Sequence, residues 1–328
     1  PPFPSVIYGA LRSAYFANHI DIFQYLKGSD KLDGNEDPTK NLKISGILLK
    51  ISDEIYFPIP LDCVKEKDNS EEAFTLLLES VNGLISNYPE LEKILVYPDG
   101  NNKGENISNA MLNKLDFIDY LNGETNNILY FKTNNYIKSE PKIGIARSSI
   151  THSSEEGKLY RIDMKRLDGA TLLVDFEGLY LPKSGMIKLG GEGKAVSYNK
   201  YEKDISIKFP EFEENDKEFK IILSTPAIFK KGWLPEWMDE NTLTGNYNGL
   251  RLKLLAGAVG KPINIAGFNM KTKMPKPMYK AVPTGSVYYF KLINGTIEEV
   301  KEIFHQKVIS DVYPYPEQGF GICYVGRA

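Results

Sequence analysis

The chain has 328 residues, 42% of them hydrophobic and 25% charged, a composition that suits a globular protein of about two domains. Its formal charge of −3 gives no global attraction to a polyanion, so any nucleic-acid reading must rest on local patches. Its two cysteines, Cys63 and Cys323, have neither metal-ligand spacing nor a disulfide framework, and no apolar run approaches the ~20 residues of a membrane span. With no signal-peptide pattern, a reducing cytoplasm is the expected compartment.

The chain opens Pro1-Pro-Phe-Pro without Met and is expected to begin inside a longer protein. Ser5 reads as the N-cap of a helix with Ile7, Leu11, Ala14, Tyr15, Ile22 and Leu26 on one face and Lys27-Gly28 at its end. Arg12 lies off that face. Residues 31–41 form a polar loop, and 42–51 and 54–60 predict a hairpin. Residues 70–87 predict a second helix, capped by Ser70, with Glu71 and Glu72 in its first turn and a stripe of Phe74, Leu77, Leu78, Val81, Leu84 and Ile85. A polar loop at 98–108 precedes a short helix at 111–121.

Residues 141–147 are apolar and bracketed by Lys142 and Arg147, and a polar stretch follows to Gly157. Tyr160, Ile162 and Met164 alternate with Arg161, Asp163 and Lys165, a half-exposed strand. Asp168-Gly169 is a turn, and Leu172, Val174 and Phe176 predict the returning strand. Leu189-Gly-Gly-Glu-Gly-Lys194 fails the Walker pattern, because Lys188 stands at the first glycine position and Ala195 replaces Ser or Thr. Its glycines suit either close backbone approach to a phosphate or a glycine-rich turn.

The acidic segment 211–218 marks a boundary between domains 1–210 and 211–328. Beyond it, strands are predicted around 219–223, 250–259, 286–293 and 321–325. A Thr296/Glu299 capping box opens a helix with Val300, Ile303 and Phe304 inward. From Asn241 to Ile297 there is no Asp or Glu but eight cations: Arg251, Lys253, Lys261, Lys271, Lys273, Lys276, Lys280 and Lys291. Lysines on a proline-stiffened loop, beside an aromatic strand and the Gln318-Gly-Phe-Gly321 loop, suit a polyanion; the same run also suits a solvated face. The order of elements fits an α+β fold of two tandem ferredoxin-like βαββαβ domains, RRM-like, the first lacking its opening strand and carrying a helical insertion.

Several segments together resemble the family of the third subunit of the Cmr complex, the type III-B CRISPR effector, within the repeat-associated mysterious protein (RAMP) superfamily. They are residues 3–12, Lys142-Ile-Gly-Ile-Ala-Arg147, Leu189–Lys194, Ser224-Thr-Pro-Ala-Ile-Phe229 with Gly232-Trp-Leu-Pro235, Pro275-Lys-Pro277, residues 282–290 and Gly319-Phe-Gly321. These follow the family's order across nearly the whole chain. Ala266-Gly267-Phe268 departs from the family's Gly-Gly-Trp, Thr284 replaces Ala, and 180–188 is short for the helix expected there. The resemblance implies two ferredoxin-like domains with a protruding hairpin, no catalysis and no cofactor or metal. It implies binding of the 5′ tag of the crRNA and contact with target RNA near the tag-proximal end. It also implies docking to the large palm-domain Cmr subunit and a backbone RAMP subunit.

Under that reading Ser5, at a helix N-terminus, offers amides and a hydroxyl to a phosphate. Gly190, Gly191, Gly193, Gly319 and Gly321 permit backbone approach. Arg12, Lys142, Arg147, Lys194, Lys273, Lys276 and Lys280 supply charge, and Phe320, with Tyr288 and Tyr289, is a candidate for base stacking or for core. The competing reading is a metal-independent endoribonuclease using a histidine. Of His19, His152 and His305, only His152 lies in a polar loop; His305 reads as a helix-end cation. A third reading is a protein scaffold with little RNA contact.

Overall fold

The computed structural model describes residues 2–19, 37–67, 72–81, 86–98, 104–124, 126–191, 193–269 and 274–328. Two antiparallel sheets dominate. The first has the spatial order Phe131–Lys132, Ala110–Asn113, Glu54–Pro58, Lys43–Ile51, Ala170–Glu177. The second has the order Thr244–Tyr247, Leu250–Ala258, Val287–Asn294, Glu218–Leu223, Ile322–Arg327, Lys307–Val308. A helix, Ile297–Phe304, links two of its central strands, and its Thr296/Glu299 capping box forms as predicted.

Alternation along the strands of the second sheet builds two cores. Phe219, Ile221, Leu223, Tyr288 and Phe290 face the C-terminal helix through Val300 and Phe304. Ile222, Val287, Tyr289 and Tyr324 face the other way, into a core shared with Leu48, Phe57 and Leu112 of the first sheet. A middle helix, Lys114–Leu121, sits in that shared core. Its Phe117 stacks on Phe57 at 4.3 Å and meets Tyr324 edge-on at 5.3 Å. The N-terminal helix, Pro4–His19, covers the opposite face of the first sheet, packing Ile7 and Leu11 on Leu42, Ile44 and Ile47.

The shared core contains a polar cluster drawn from both sides of residue 210. Asp62 is fully buried and accepts the hydroxyls of Tyr120 at 2.7 Å and Tyr289 at 2.6 Å. The Lys220 ammonium lies 3.7 Å from the centre of the Tyr120 ring. Burial pushes Lys220 below the ordinary lysine range, with the Asp62 charge opposing; burial and Asp62 both push the two phenols upward.

Several expectations are corrected. Residues 72–80 are not helical. Glu72–Thr75 pairs with Cys63–Glu66 and Ile128–Leu129, and Leu77–Ser80 pairs with Lys93–Val96. Ala73 and Thr75 alternate inward beside Cys63 and Val64, so the available strand partners override the helical spacing. Ser70, Glu71, Leu84 and Ile85 lie outside the described residues. Ala170–Glu177 does not return along the preceding strand. It joins Lys43–Ile51, where Leu173 becomes core, and Ser154–Leu167 instead pairs with Ile137–Arg147 in a separate ribbon. Residues 110–113 are strand, and the helix starts only where the Asn113 side chain accepts the Asp116 N–H at 2.8 Å. Ser5 is the second residue of its helix, because Pro4 takes the first helical position that suits it. The predicted end of that helix, Lys27-Gly28, lies outside the described residues.

His305 is not a helix-end cation. It caps the C-terminal helix but is buried, with Nε2 2.9 Å from the Ile207 carbonyl and Nδ1 accepting the Val325 N–H at 3.3 Å. One nitrogen donates and the other accepts, which is the neutral ring. Burial lowers its pKa, opposed by the Ile207 bond and reinforced by Lys301.

Two tests follow from these buried groups. Asp62→Ala leaves Lys220 without its counter-charge, and the expected cost is about 3–5 kcal/mol in urea unfolding; an unchanged midpoint would show that the cluster does not join the sheets. For His305, the folded pKa lies below the unfolded value near ~6.5, so the unfolded chain binds more protons between the two. Stability is therefore expected to fall as pH drops through that window. His305→Gln should flatten this slope, read as urea midpoints from pH 7.5 downward.

Candidate nucleic-acid interface

The predicted site residues fall into separate places, and the structure sorts them. In the N-terminal helix, Ser5 is half-buried and Arg12 is already engaged. Its Nε donates to Thr39 Oγ1 at 2.6 Å, its guanidinium pairs with Asp37, and it lies 5.9 Å from the Tyr8 and Phe16 ring centres. Arg12 thus fastens residues 37–39 to the helix, with its charge matched.

Beside that helix packs a hairpin of Ser184–Lys188 and Ala195–Asn199. Leu189 and Lys194 close it through an N–H to carbonyl bond of 3.0 Å, so the motif is a glycine-rich hairpin tip. Gly190 and Gly193 have φ of +78° and +66°, which a side chain would strain, while Gly191 simply has open space around it. Gly190, Gly191, Gly193 and Lys194 are all exposed.

The second glycine loop turns inward instead. Phe320 is fully buried among Ile228, Ile265, Val312 and Tyr315, meeting Tyr315 edge-on at 5.3 Å. Tyr288 and Tyr289 are buried as well, on opposite faces of their strand. The N–H groups of Gly319, Phe320 and Gly321 donate to the carbonyls of Pro316, Tyr315 and Pro226 at 3.0, 3.2 and 2.8 Å. A side chain at Gly319 would strike Ile44, with 2.9 Å to its Cγ2. Base stacking by Phe320 and phosphate binding by the amides of Gly319 and Gly321 are therefore corrected. The loop is a joint between the sheets, with the Ile44 N–H on the Glu317 carbonyl at 3.0 Å.

The acid-free stretch divides in two. On the second sheet Lys253 pairs with Glu92 at 2.5 Å, and Lys291 lies opposite Glu218 in the ladder. The Glu92 carboxyl is held below its ordinary range chiefly by the Lys253 bond. An acid distant in sequence thus neutralises Lys253, while Glu218 pairs with Lys93 at 2.7 Å. The remainder rises as a basic hairpin, Ile263–Ile265 paired with Tyr279–Ala281 and Phe268–Asn269 paired with Met274–Pro275. Lys261, Lys276 and Lys280 are exposed on or beside it and make no ion pair among the described residues. Lys273 lies outside the described residues.

Ile265 and Ala281 seat this hairpin on Val312, Tyr315 and Phe320, and Tyr279 meets Tyr315 edge-on at 5.3 Å. The 310–319 loop in turn reaches the N-terminal helix, where the Tyr8 hydroxyl is raised first by burial and then by the charges of Glu317 and Asp37 against Arg12. The basic hairpin therefore packs on the loop, the loop bonds to the strand beneath the helix, and the glycine hairpin packs against that helix.

Lys142 and Arg147 belong elsewhere. They lie on the long ribbon of Ile137–Arg147 and Ser154–Leu167, whose base, Ile137 and Leu167, packs on Ile51, Tyr56 and Met111. Ile51 lies seven positions along from Ile44, about 23 Å at the ordinary strand rise. The ribbon carries exposed Ile143, Ile145, Ile150 and Leu159. At its tip the Arg147 Nε donates to the His152 carbonyl at 3.0 Å, and the His152 N–H donates to the Ser148 carbonyl at 3.0 Å. Among the described residues, no three or more His, Cys, Asp and Glu side chains are grouped to hold a metal ion.

The family described as CRISPR-associated protein (Cas_Cmr3) matches residues 1–328, and the chain belongs to that family. The resemblance drawn from the sequence motifs is thereby shown. No curated protein matches the chain. Among solved structures, it is similar to chains of two assemblies. One is described as type III-B Cmr-beta bound to cognate target RNA, at 16% identity and a TM-score of 0.48, over 92% of this chain and 78% of that one. The other is described as the same assembly with AMPPnP, state 1, at 16% identity and a TM-score of 0.46, over 88% and 77%.

Proposed function

We propose that this Cas_Cmr3 protein is a non-catalytic, RNA-binding subunit of a type III-B CRISPR effector, working in the cytoplasm in antiviral defence. It anchors the repeat-derived 5′ tag of the crRNA and bridges the large palm-domain subunit to the backbone RAMP subunits. One observation carries the reading: Lys276 and Lys280, with Lys261, stand exposed and without ion pairs among the described residues, on a hairpin seated on the loop that bonds to the strand beneath the N-terminal helix. An extended RNA strand needs such a track of cations for its phosphates. Gly190, Gly191, Gly193 and Lys194 adjoin the same helix and extend the track. Ser5 and Arg12 border it, Arg12 as a support whose charge Asp37 already matches.

Two ferredoxin-like domains, 1–210 and 211–328, remain the proposed plan. The second sheet supports it through its central strands: taken in chain order as first to fourth, they lie second, third, first, fourth, with the helix between third and fourth. The irregular segment 224–243 stands where the first helix of such a unit would run. The long ribbon is the proposed protruding hairpin, with Lys142 and Arg147 directed at target RNA near the tag-proximal end. A two-stranded ribbon exposed on both faces gains little from burial alone, which supports a partner for its apolar residues.

Lys276→Glu with Lys280→Glu should weaken retention of the crRNA in the assembled particle. For every phosphate that these lysines no longer neutralise, the dependence of log affinity on log salt should flatten by about 0.7. Normal assembly with unaltered retention would favour a protein scaffold instead. His152→Ala should leave guide processing and target cleavage unchanged, because that residue's observed hydrogen bonds are backbone ones at a hairpin tip; a large drop in either assay would support the nuclease reading.

A further inference from the structure

The aromatic residues that the sequence offers for stacking are core, but other rings are exposed here: Phe268 on the basic hairpin, at 55%, and Tyr313 on the loop that seats it. Tyr313 is 78% exposed, while Val312 and Tyr315 around it are 8% and 7% exposed. Its loop is pinned on both sides. The Asp311 carboxylate accepts the N–H groups of Lys230 at 2.8 Å and Glu236 at 2.6 Å, and the Asp311 N–H donates to the Ile228 carbonyl at 3.1 Å. The Tyr315 N–H donates to Val312 at 3.0 Å, and the Ile44 N–H reaches Glu317 at 3.0 Å. A ring held out on a fixed backbone gives up little conformational freedom when something covers it.

Its position has a direction as well. On one side is the strand beneath the N-terminal helix: its Ile44 N–H donates to the Glu317 carbonyl at 3.0 Å, and its Ile44 side chain packs with Ile7 and Leu11. On the other is Tyr279, edge-on to Tyr315 and adjacent in sequence to the exposed Lys280. Tyr313 thus belongs to the loop whose contacts run from Tyr279, beside Lys280, to the strand under the helix. The Glu317 carboxylate repels phosphate there, so the backbone belongs on the lysine side and a base face belongs on the tyrosine.

We infer that Tyr313 is a stacking platform for one unpaired base of the bound RNA strand, an inference that rests on the RNA-anchoring reading above. The ring sets the position of that nucleotide, and the neighbouring lysines hold the phosphates that flank it. Stacking of this kind tolerates any base, so Tyr313 fixes register rather than sequence.

The test uses the assembled particle loaded with guides whose leading nucleotides are replaced one at a time by the fluorescent base 2-aminopurine. One position should be strongly quenched in the wild type and in Tyr313→Phe and Tyr313→Trp. In Tyr313→Ala that position alone should brighten several-fold, guide affinity should fall about 5- to 150-fold, and the salt slope should stay as in the wild type. Equal emission at every position in Tyr313→Ala and wild type overturns the inference. So does a Tyr313→Ala particle that sheds a protein subunit while its guide stays quenched, which would make Tyr313 a protein contact. Retention of the guide by the Lys276→Glu/Lys280→Glu particle would count against the lysine anchor and not against stacking, so the two failures are distinguishable.

Discussion

A single buried carboxylate couples the two halves of the molecule. Asp62 comes from the segment after the first sheet's hairpin, while Tyr289 and Lys220 come from adjacent strands of the second sheet. Tyr120, from the middle helix, completes the cluster. An ionised carboxylate in a sealed core is costly unless its lone pairs are taken up and a counter-charge lies near. Here two phenolic hydroxyls donate to it, and the ammonium rests on the face of one of those same rings. Each group is tolerable only while the others are in place. The geometry therefore specifies how the sheets meet, which leucines and phenylalanines alone would leave to shape.

That constraint explains how the exposed surface is held. Phe320 and Gly319–Gly321 lie where the second sheet's last strand begins, and their amides and rings are spent on internal bonds. The same loop presents Tyr313 outward and carries the basic hairpin on Val312 and Tyr315. The surface thus inherits its rigidity from the joint between the sheets. A single-stranded ligand held by a few lysines and one ring depends on such preorganisation, because each contact by itself is weak.

The second half of the chain was the more legible from sequence. Its strands alternate clearly, and Thr296 with Glu299 is a local cap signal that needs no tertiary information. In the first half, the apolar spacing of Phe74, Leu77 and Leu78 was compatible with a helix. The strand partners at Cys63–Glu66 and Lys93–Val96 decided the outcome, and partners distant in sequence leave no local trace. The site was half legible for the same reason. The acid-free run correctly marked Lys276 and Lys280 as exposed cations, but charge counting along the chain could not know that Glu92 would come to Lys253. A glycine loop around Phe320 looked like a flexible ligand cradle and is a packed joint. Asp62 and Tyr313 gave only faint signals: an acid just after Pro60-Leu61 and an aromatic just before a proline.

The charge distribution has a further consequence. With a formal charge of −3, the molecule as a whole repels a polyanion weakly, so a strand approaching at random is not drawn to most of its surface. Attraction arises locally, where exposed cations such as Lys194, Lys261, Lys276 and Lys280 make no ion pair among the described residues, while Glu92 offsets Lys253 on the adjoining flank. Screening over about 10 Å at moderate salt keeps each such attraction local. An evenly basic surface would bind RNA in many registers. On the RNA-anchoring reading proposed above, a short basic track bordered by Glu317 restricts the path of a strand, and a fixed ring beside it would choose where a nucleotide stops.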